Sequence, residues 1–144
     1  CIETGYDVSV DINSFAPNFE ISKLGNHFKL SETRGNYVIV NFWTSDDAEA
    51  RIRNIHYDRF FKSIGKNLSF ISVNFDDSDN MFKELVRTDG LSEVSQFYEK
   101  DGMESEVYKR YRLKSGMNSY LLDKDGKILA INPMQQQLTK YFCQ

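Results

Sequence analysis

The sequence predicts an α/β domain with a central mixed sheet flanked by helices. Three observations predict it. Tyr37-Val-Ile-Val-Asn-Phe-Trp43 is a nearly continuous β-branched and aromatic run, the composition of a strand buried on both faces. A second such run, Leu68–Phe75, follows after a segment carrying helix signals, and strands that alternate with helices imply parallel pairing through right-handed crossovers. Ser119–Leu122 and Lys127–Ile131 flank Asp123-Lys-Asp-Gly126, a turn sequence that closes a hairpin and adds an antiparallel edge.

The elements follow in order. Val8–Ile12 alternates apolar and polar residues and is expected as an edge strand. Asn18–Ile21 and His27–Leu30 read as short strands around Gly25-Asn26. After the central strand, Asp46 is expected as N-cap of a helix, with Glu49 in the capping-box place. Ala48, Ile52, Ile55, Phe60, Phe61 and Ile64 form its apolar stripe, and Gly65 stops it. Asp76-Asp-Ser-Asp79 caps a second helix through Met81, Phe82, Leu85 and Val86. A shorter helix is expected over Glu104–Tyr111 and a last one over Met134–Phe142. We read residues 1–14 as an extension and 15–144 as one domain.

Composition narrows the function. Eighteen basic against 21 acidic residues give a net charge of −3 with no basic stripe, so neither nucleic acid nor an anionic membrane surface is the expected partner. No apolar run approaches the ~20 residues of a membrane-spanning helix. The 11 Phe and 8 Tyr fall mostly inside expected strands and helices, where they serve as core. His27 and His56 stand alone, and Asp76–Asn80 lacks the ligand spacing and closing Glu of a calcium loop. No metal and no cofactor is expected.

The two cysteines, Cys1 and Cys143, stand far apart in sequence, and no C-x-x-C pair exists. Cys1, followed by the polar stretch Glu3–Asp7, is a lipidation candidate of the bacterial lipoprotein kind. A membrane is therefore expected only through such an anchor, on the periplasmic side of the cell envelope. A disulfide between Cys1 and Cys143 is the competing use.

Ala16-Pro-Asn-Phe19, Leu30-Ser31 and Gly35-Asn-Tyr-Val-Ile-Val-Asn-Phe-Trp43 together resemble the opening of the TlpA-like thiol–disulfide oxidoreductases. The likeness continues through Phe70–Asp76, Asp89-Gly-Leu91, Glu106–Tyr111 and Tyr120–Ile128, nearly the whole chain. It implies a thioredoxin-like fold and a location beyond the bacterial inner membrane. It also implies a Cys-x-x-Cys directly after the first buried strand and a cis-proline before the hairpin. Here those positions are Asp47 and Ala50, and Met117. Trp43 and Arg51 of the flanking pattern remain.

Thiol–disulfide exchange needs a thiolate nucleophile and a second sulfur to resolve the mixed disulfide. A carboxylate has no disulfide couple. What Asp47 can do is set a negative charge at a helix N-terminus, worth about 0.3–1 kcal/mol. The expected function is a redox-inactive binding or accessory module. Its contact face would comprise Trp43, Thr44, Asp46, Asp47 and the Ser115–Asn118 loop with Met117 and Asn118, taking a protein or peptide partner. The alternative is an enzyme using Cys143, or the Asp46, Asp47 and Glu49 carboxylates if they converge.

Overall fold

The structure, a computed structural model, describes residues 10–23 and 26–142. Glu20–Lys23 (β1) and Asn26–Lys29 (β2) pair antiparallel as a separate hairpin. The main elements then run Tyr37–Trp43 (β3), Ala48–Ile64 (α1), Leu68–Asn74 (β4), Asp79–Thr88 (α2), Gln96–Tyr98 (β5), Glu106–Arg110 (α3), Ser119–Leu122 (β6), Ile128–Ile131 (β7) and Gln135–Phe142 (α4). The sheet order is β5-β4-β3-β6-β7. β3, β4 and β5 are mutually parallel, whereas β6 and β7 pair antiparallel.

The predicted α/β architecture holds because β3 and β4 are covered on both sides. Val38, Val40 and Phe42 of β3 point into one core with Ile71, Val73, Phe97 and Tyr111. The alternate residues enter the opposite layer, where Ile39 meets Tyr57, Phe60, Leu121 and Leu138 under α1 and α4. Strand alternation therefore places Asn41 and Trp43 on the helix α1 side. Gly65 ends α1 at φ 76°, a left-handed conformation in which its N–H reaches the Phe61 carbonyl. Gly126 takes φ 93° in the hairpin turn, where a Cβ would strike the Arg34 guanidinium.

Four expectations need correction. Val10–Ile12 forms no strand, and Val8 and Ser9 lie outside the described residues; Asn13 at φ 75° turns the chain, and only Phe15 bridges Lys127. The N-cap of α1 is Asp47, not Asp46. The inward face of α1 is Ala50, Asn54, Tyr57, Asp58 and Phe60, while Ile52 is 51% exposed. The sheet beneath α1 presents Asn41 and Ser72, so the helix turns Asn54 toward them instead of a further apolar residue. Finally, Gln96–Tyr98 is a strand that no local pattern announced.

Candidate functional site

The expected face lies where β3 feeds α1, opposite the loop that leads into β6. A tight turn spans Thr44–Asp47, with the Asp47 N–H donating to the Thr44 carbonyl at 3.2 Å. The Thr44 hydroxyl donates to Asp46 Oδ1 at 2.6 Å, which occupies the carboxylate expected to cap the helix. Asp47 takes the extended conformation of a cap residue and accepts the Ala50 N–H at 3.1 Å. One residue of turn thus displaces the helix start, and Glu49 loses its reciprocal capping partner.

Ala50 is fully buried beside Trp43, Phe82, Val86 and Leu91. Trp43 is also fully buried, with its ring centroid 6.3 Å from that of Phe82 and, among the described residues, no partner for Nε1. Its side chain therefore belongs to the core and lies off the expected contact face. Thr44 and Asp47 are half-buried and Asp46 is exposed.

The Ser115–Asn118 loop comes back against this region. Met117 is half-buried and packs on the cluster that holds Trp43 and Ala50. Its peptide is trans, as are all described peptide bonds. Arg53, one turn into α1, donates from Nη2 to the Met117 carbonyl at 2.9 Å. The Gly116 N–H donates to Leu113 O, and the Asn118 carbonyl accepts the Phe42 N–H. Asn118 Oδ1 accepts from Asn132 Nδ2 at 3.0 Å, and Asn132 Oδ1 in turn accepts the Ser119 N–H. Folding thus packs Met117 on the cluster that holds Ala50, whose N–H Asp47 caps, but it engages much of the loop's main chain internally.

Below the face runs a polar layer that the sequence reading did not single out. Asn54 Oδ1 accepts from the Ser72 hydroxyl at 2.6 Å and from Gln96 Nε2 at 3.2 Å. Tyr57 donates to the Pro133 carbonyl at 2.8 Å and sits 2.8 Å from the Ser119 hydroxyl; burial pushes its phenol above the usual range. Arg51, kept from the family pattern, forms a bidentate pair with Asp89 at 2.9 and 2.7 Å, which ties α1 to the end of α2. That pair accounts for Arg51 structurally. Nothing in the sequence singles out Asn54 on a helix that also carries Arg51, Arg53, His56, Asp58 and Arg59, and only folding names its partners.

Asp46, Asp47 and Glu49 do not converge. Two of them are satisfied by Thr44 and by the helix start, and no three acid, His or Cys groups among the described residues are placed to hold a metal ion. Cys1 and Cys143 lie outside the described residues.

The AhpC/TSA family model matches residues 12–131. The thiol-disulfide oxidoreductase ResA of Bacillus thuringiensis subsp. konkukian (strain 97-27) is 28% identical, the match covering 83% of this chain and 68% of that protein. A thioredoxin-like protein from Parabacteroides distasonis ATCC 8503 superposes with a TM-score of 0.82 at 31% identity, over 94% of this chain and 96% of that one. The thioredoxin domain of a thiol-disulfide oxidoreductase from Bacteroides vulgatus gives 0.76 at 25% identity, over 92% and 96%. The chain belongs to the AhpC/TSA family, with the fold of the thioredoxin-like thiol–disulfide oxidoreductases.

Proposed function

We propose that this domain is a redox-inactive member of its family, a binding or accessory module of the cell envelope on the periplasmic side. The observation that carries the reading is at the start of α1. The residue in the attacking-thiol position is Asp47, and its carboxylate is spent on the Ala50 N–H. The resolving position is Ala50, which is sealed in the core. Neither atom set can form or break a disulfide. The envelope location rests on the resemblance to secreted and tethered oxidoreductases.

The contact face in this reading is Thr44, Asp46 and Asp47 with Met117 and Asn118, and the partner is a protein or peptide. Because the Met117 carbonyl is held by Arg53, contact through side chains is favoured over main-chain pairing with this loop. Trp43 supports the face from beneath.

The test is insulin reduction by dithiothreitol, followed as turbidity. Wild type is expected to match dithiothreitol alone, while Asp47→Cys/Ala50→Cys regains catalysis and shows that the scaffold still presents the site. Catalysis by the wild-type chain sinks the proposal, and Cys143→Ser then reports whether that sulfur is the source.

A further inference from the structure

A small cleft of about 230 Å³ shares Asn118 with the former dithiol face. Its polar lining comes from three segments: Asp11 of the N-terminal stretch, Arg112 just after α3, and Ser115, Asn118 and Tyr120 leading into β6. The volume lies below the roughly 300–1,000 Å³ of drug-sized ligand sites, so the occupant is a molecule of few heavy atoms.

The chain fixes these polar groups in place. Arg112 takes φ 54° and ψ 44°, a left-handed conformation that few residues other than Gly and Asn adopt. Its N–H donates to the Lys109 carbonyl and its carbonyl accepts the Ser115 N–H, both at 3.1 Å, so the turn carrying the guanidinium is closed at both ends. Tyr120 is 2% exposed and packs among the rings of Phe42 and Tyr111. Burial raises its phenol, Asn118 lowers it in part, and the Asp11 carboxylate raises it further. Asn118 spends Oδ1 on Asn132, so its own Nδ2 is the end that can favour an ionised phenol. The Tyr120 hydroxyl therefore lies between an amide donor and a carboxylate. The Tyr111 hydroxyl is already committed to the Pro17 carbonyl.

The charges of the cleft balance, one guanidinium against one carboxylate, yet the two do not pair. No ion pair among the described residues includes Arg112. A simple anion would gain Arg112 and meet repulsion from Asp11, and a simple cation would meet the reverse. A molecule carrying both charges a few bonds apart satisfies both ends. Arg112, Asn118 and Tyr120 supply N–H and O–H donors for a carboxylate. Asp11 can accept from an ammonium, since a carboxylate offers about four acceptor positions.

We infer that this cleft binds a small free α-amino acid as its zwitterion, with the carboxylate on Arg112, Asn118 and Tyr120 and the ammonium on Asp11. The site goes beyond the proposed contact face, with which it shares Asn118, and its failure would leave that reading standing.

The experiment titrates ¹⁵N-labelled chain at constant ionic strength with L-alanine, with propionate, which lacks the ammonium, and with ethylamine, which lacks the carboxylate. The amides of Asp11, Arg112, Ser115, Asn118 and Tyr120 are expected to shift with alanine, which binds about tenfold or more tightly than either fragment, the scale of one charge-assisted hydrogen bond. Arg112→Gln and Tyr120→Phe are expected to weaken alanine, and Asp11→Asn to erase its advantage over propionate. Asp11 and Arg112 are exposed, so the spectra of their variants should otherwise match wild type. Propionate or ethylamine binding as tightly as alanine overturns the inference, because one charge then suffices. So does the absence of shifts at those amides, or an Arg112→Gln variant that binds alanine unchanged.

Discussion

The Arg53 guanidinium donates to the Met117 carbonyl at 2.9 Å, fastening the first turns of α1 to the loop that enters β6. In the family pattern these two segments carry the dithiol and the cis-proline. Here a cation on one segment and a carbonyl on the other hold the same two segments in register without sulfur. Charge-assisted hydrogen bonds contribute about 1.5–3 kcal/mol when shielded. Arg53 is half-buried, so Arg53→Met is expected to cost about 1–2 kcal/mol in urea unfolding. The amides of Ser115–Ser119 should shift while those of α4 stay put. Equal stability and an unmoved loop would show the contact to be incidental.

Adjacent aspartates should behave differently. Asp47 caps α1, and its replacement by Ala is expected to destabilise by about 0.5–2 kcal/mol. Asp46 is exposed and, among the described residues, hydrogen-bonded to Thr44 alone, so Asp46→Ala should stay within about 0.5 kcal/mol of wild type. Asp47→Ser should recover most of the loss. The comparison is made by denaturant midpoints at one pH, and a larger loss at Asp46 would return the cap to that residue.

Trp43 is the single tryptophan and is fully buried, with no partner for Nε1 among the described residues. Its emission should be blue-shifted in the folded chain and move to the red on unfolding. Trp43→Ala leaves a large void beside Phe82 and is expected to cost about 3–5 kcal/mol. Trp43→Phe forfeits no hydrogen bond and should cost distinctly less. Emission already at the solvent-exposed position in native buffer would contradict the burial.

Asn54 joins α1 to the sheet through Ser72 and Gln96. Asn54→Leu strands both partners, each at about 1–3 kcal/mol. Adding Ser72→Ala removes one of the orphans but strands the Asn41 Nδ2 that donates to Ser72, so the double variant should cost less than the sum of the two single variants. A double-mutant cycle with no coupling would deny the network.

Burial raises the phenols of Tyr57, Tyr111 and Tyr120 above the ordinary tyrosine range. The folded chain therefore keeps protons that the unfolded chain releases above about pH 10. Their contribution is complete below that pH and is lost as pH rises, by up to about 1.4 kcal/mol per pH unit for each tyrosine. Lys23 works the other way, since burial lowers its ammonium and favours the folded state as pH rises toward its ordinary value. Tyr98 joins these tyrosines, its phenol raised by burial and by the surrounding carboxylates, and one half-buried lysine against four tyrosines leaves a net fall. Urea midpoints should drop as pH rises from about 10 to about 11, and Tyr111→Phe should flatten that drop even though it gives up the bond to the Pro17 carbonyl.

Features that depend on neighbours along the chain were legible in the sequence. The β3 and β4 runs, the left-handed stop at Gly65, the start of α2 within Asp76–Asp79 and the turn at Asp123–Gly126 all rest on periodicity or on local residue chemistry, though the structure decides that Ser78 is the capping residue. So was the missing sulfur at Asp47 and Ala50, which requires only a resemblance and a residue name. Tertiary structure decided the rest. β5 is three residues long and exists because β4 offers Ser72, Val73 and Asn74 as a ladder. Asn54 faces inward because Ser72 and Gln96 are there to satisfy it, and Trp43 is core because α2 lays Phe82 over it. A helix or strand records in its own sequence which residues share a face, but which face turns inward is set by the atoms that the distant chain brings to meet it.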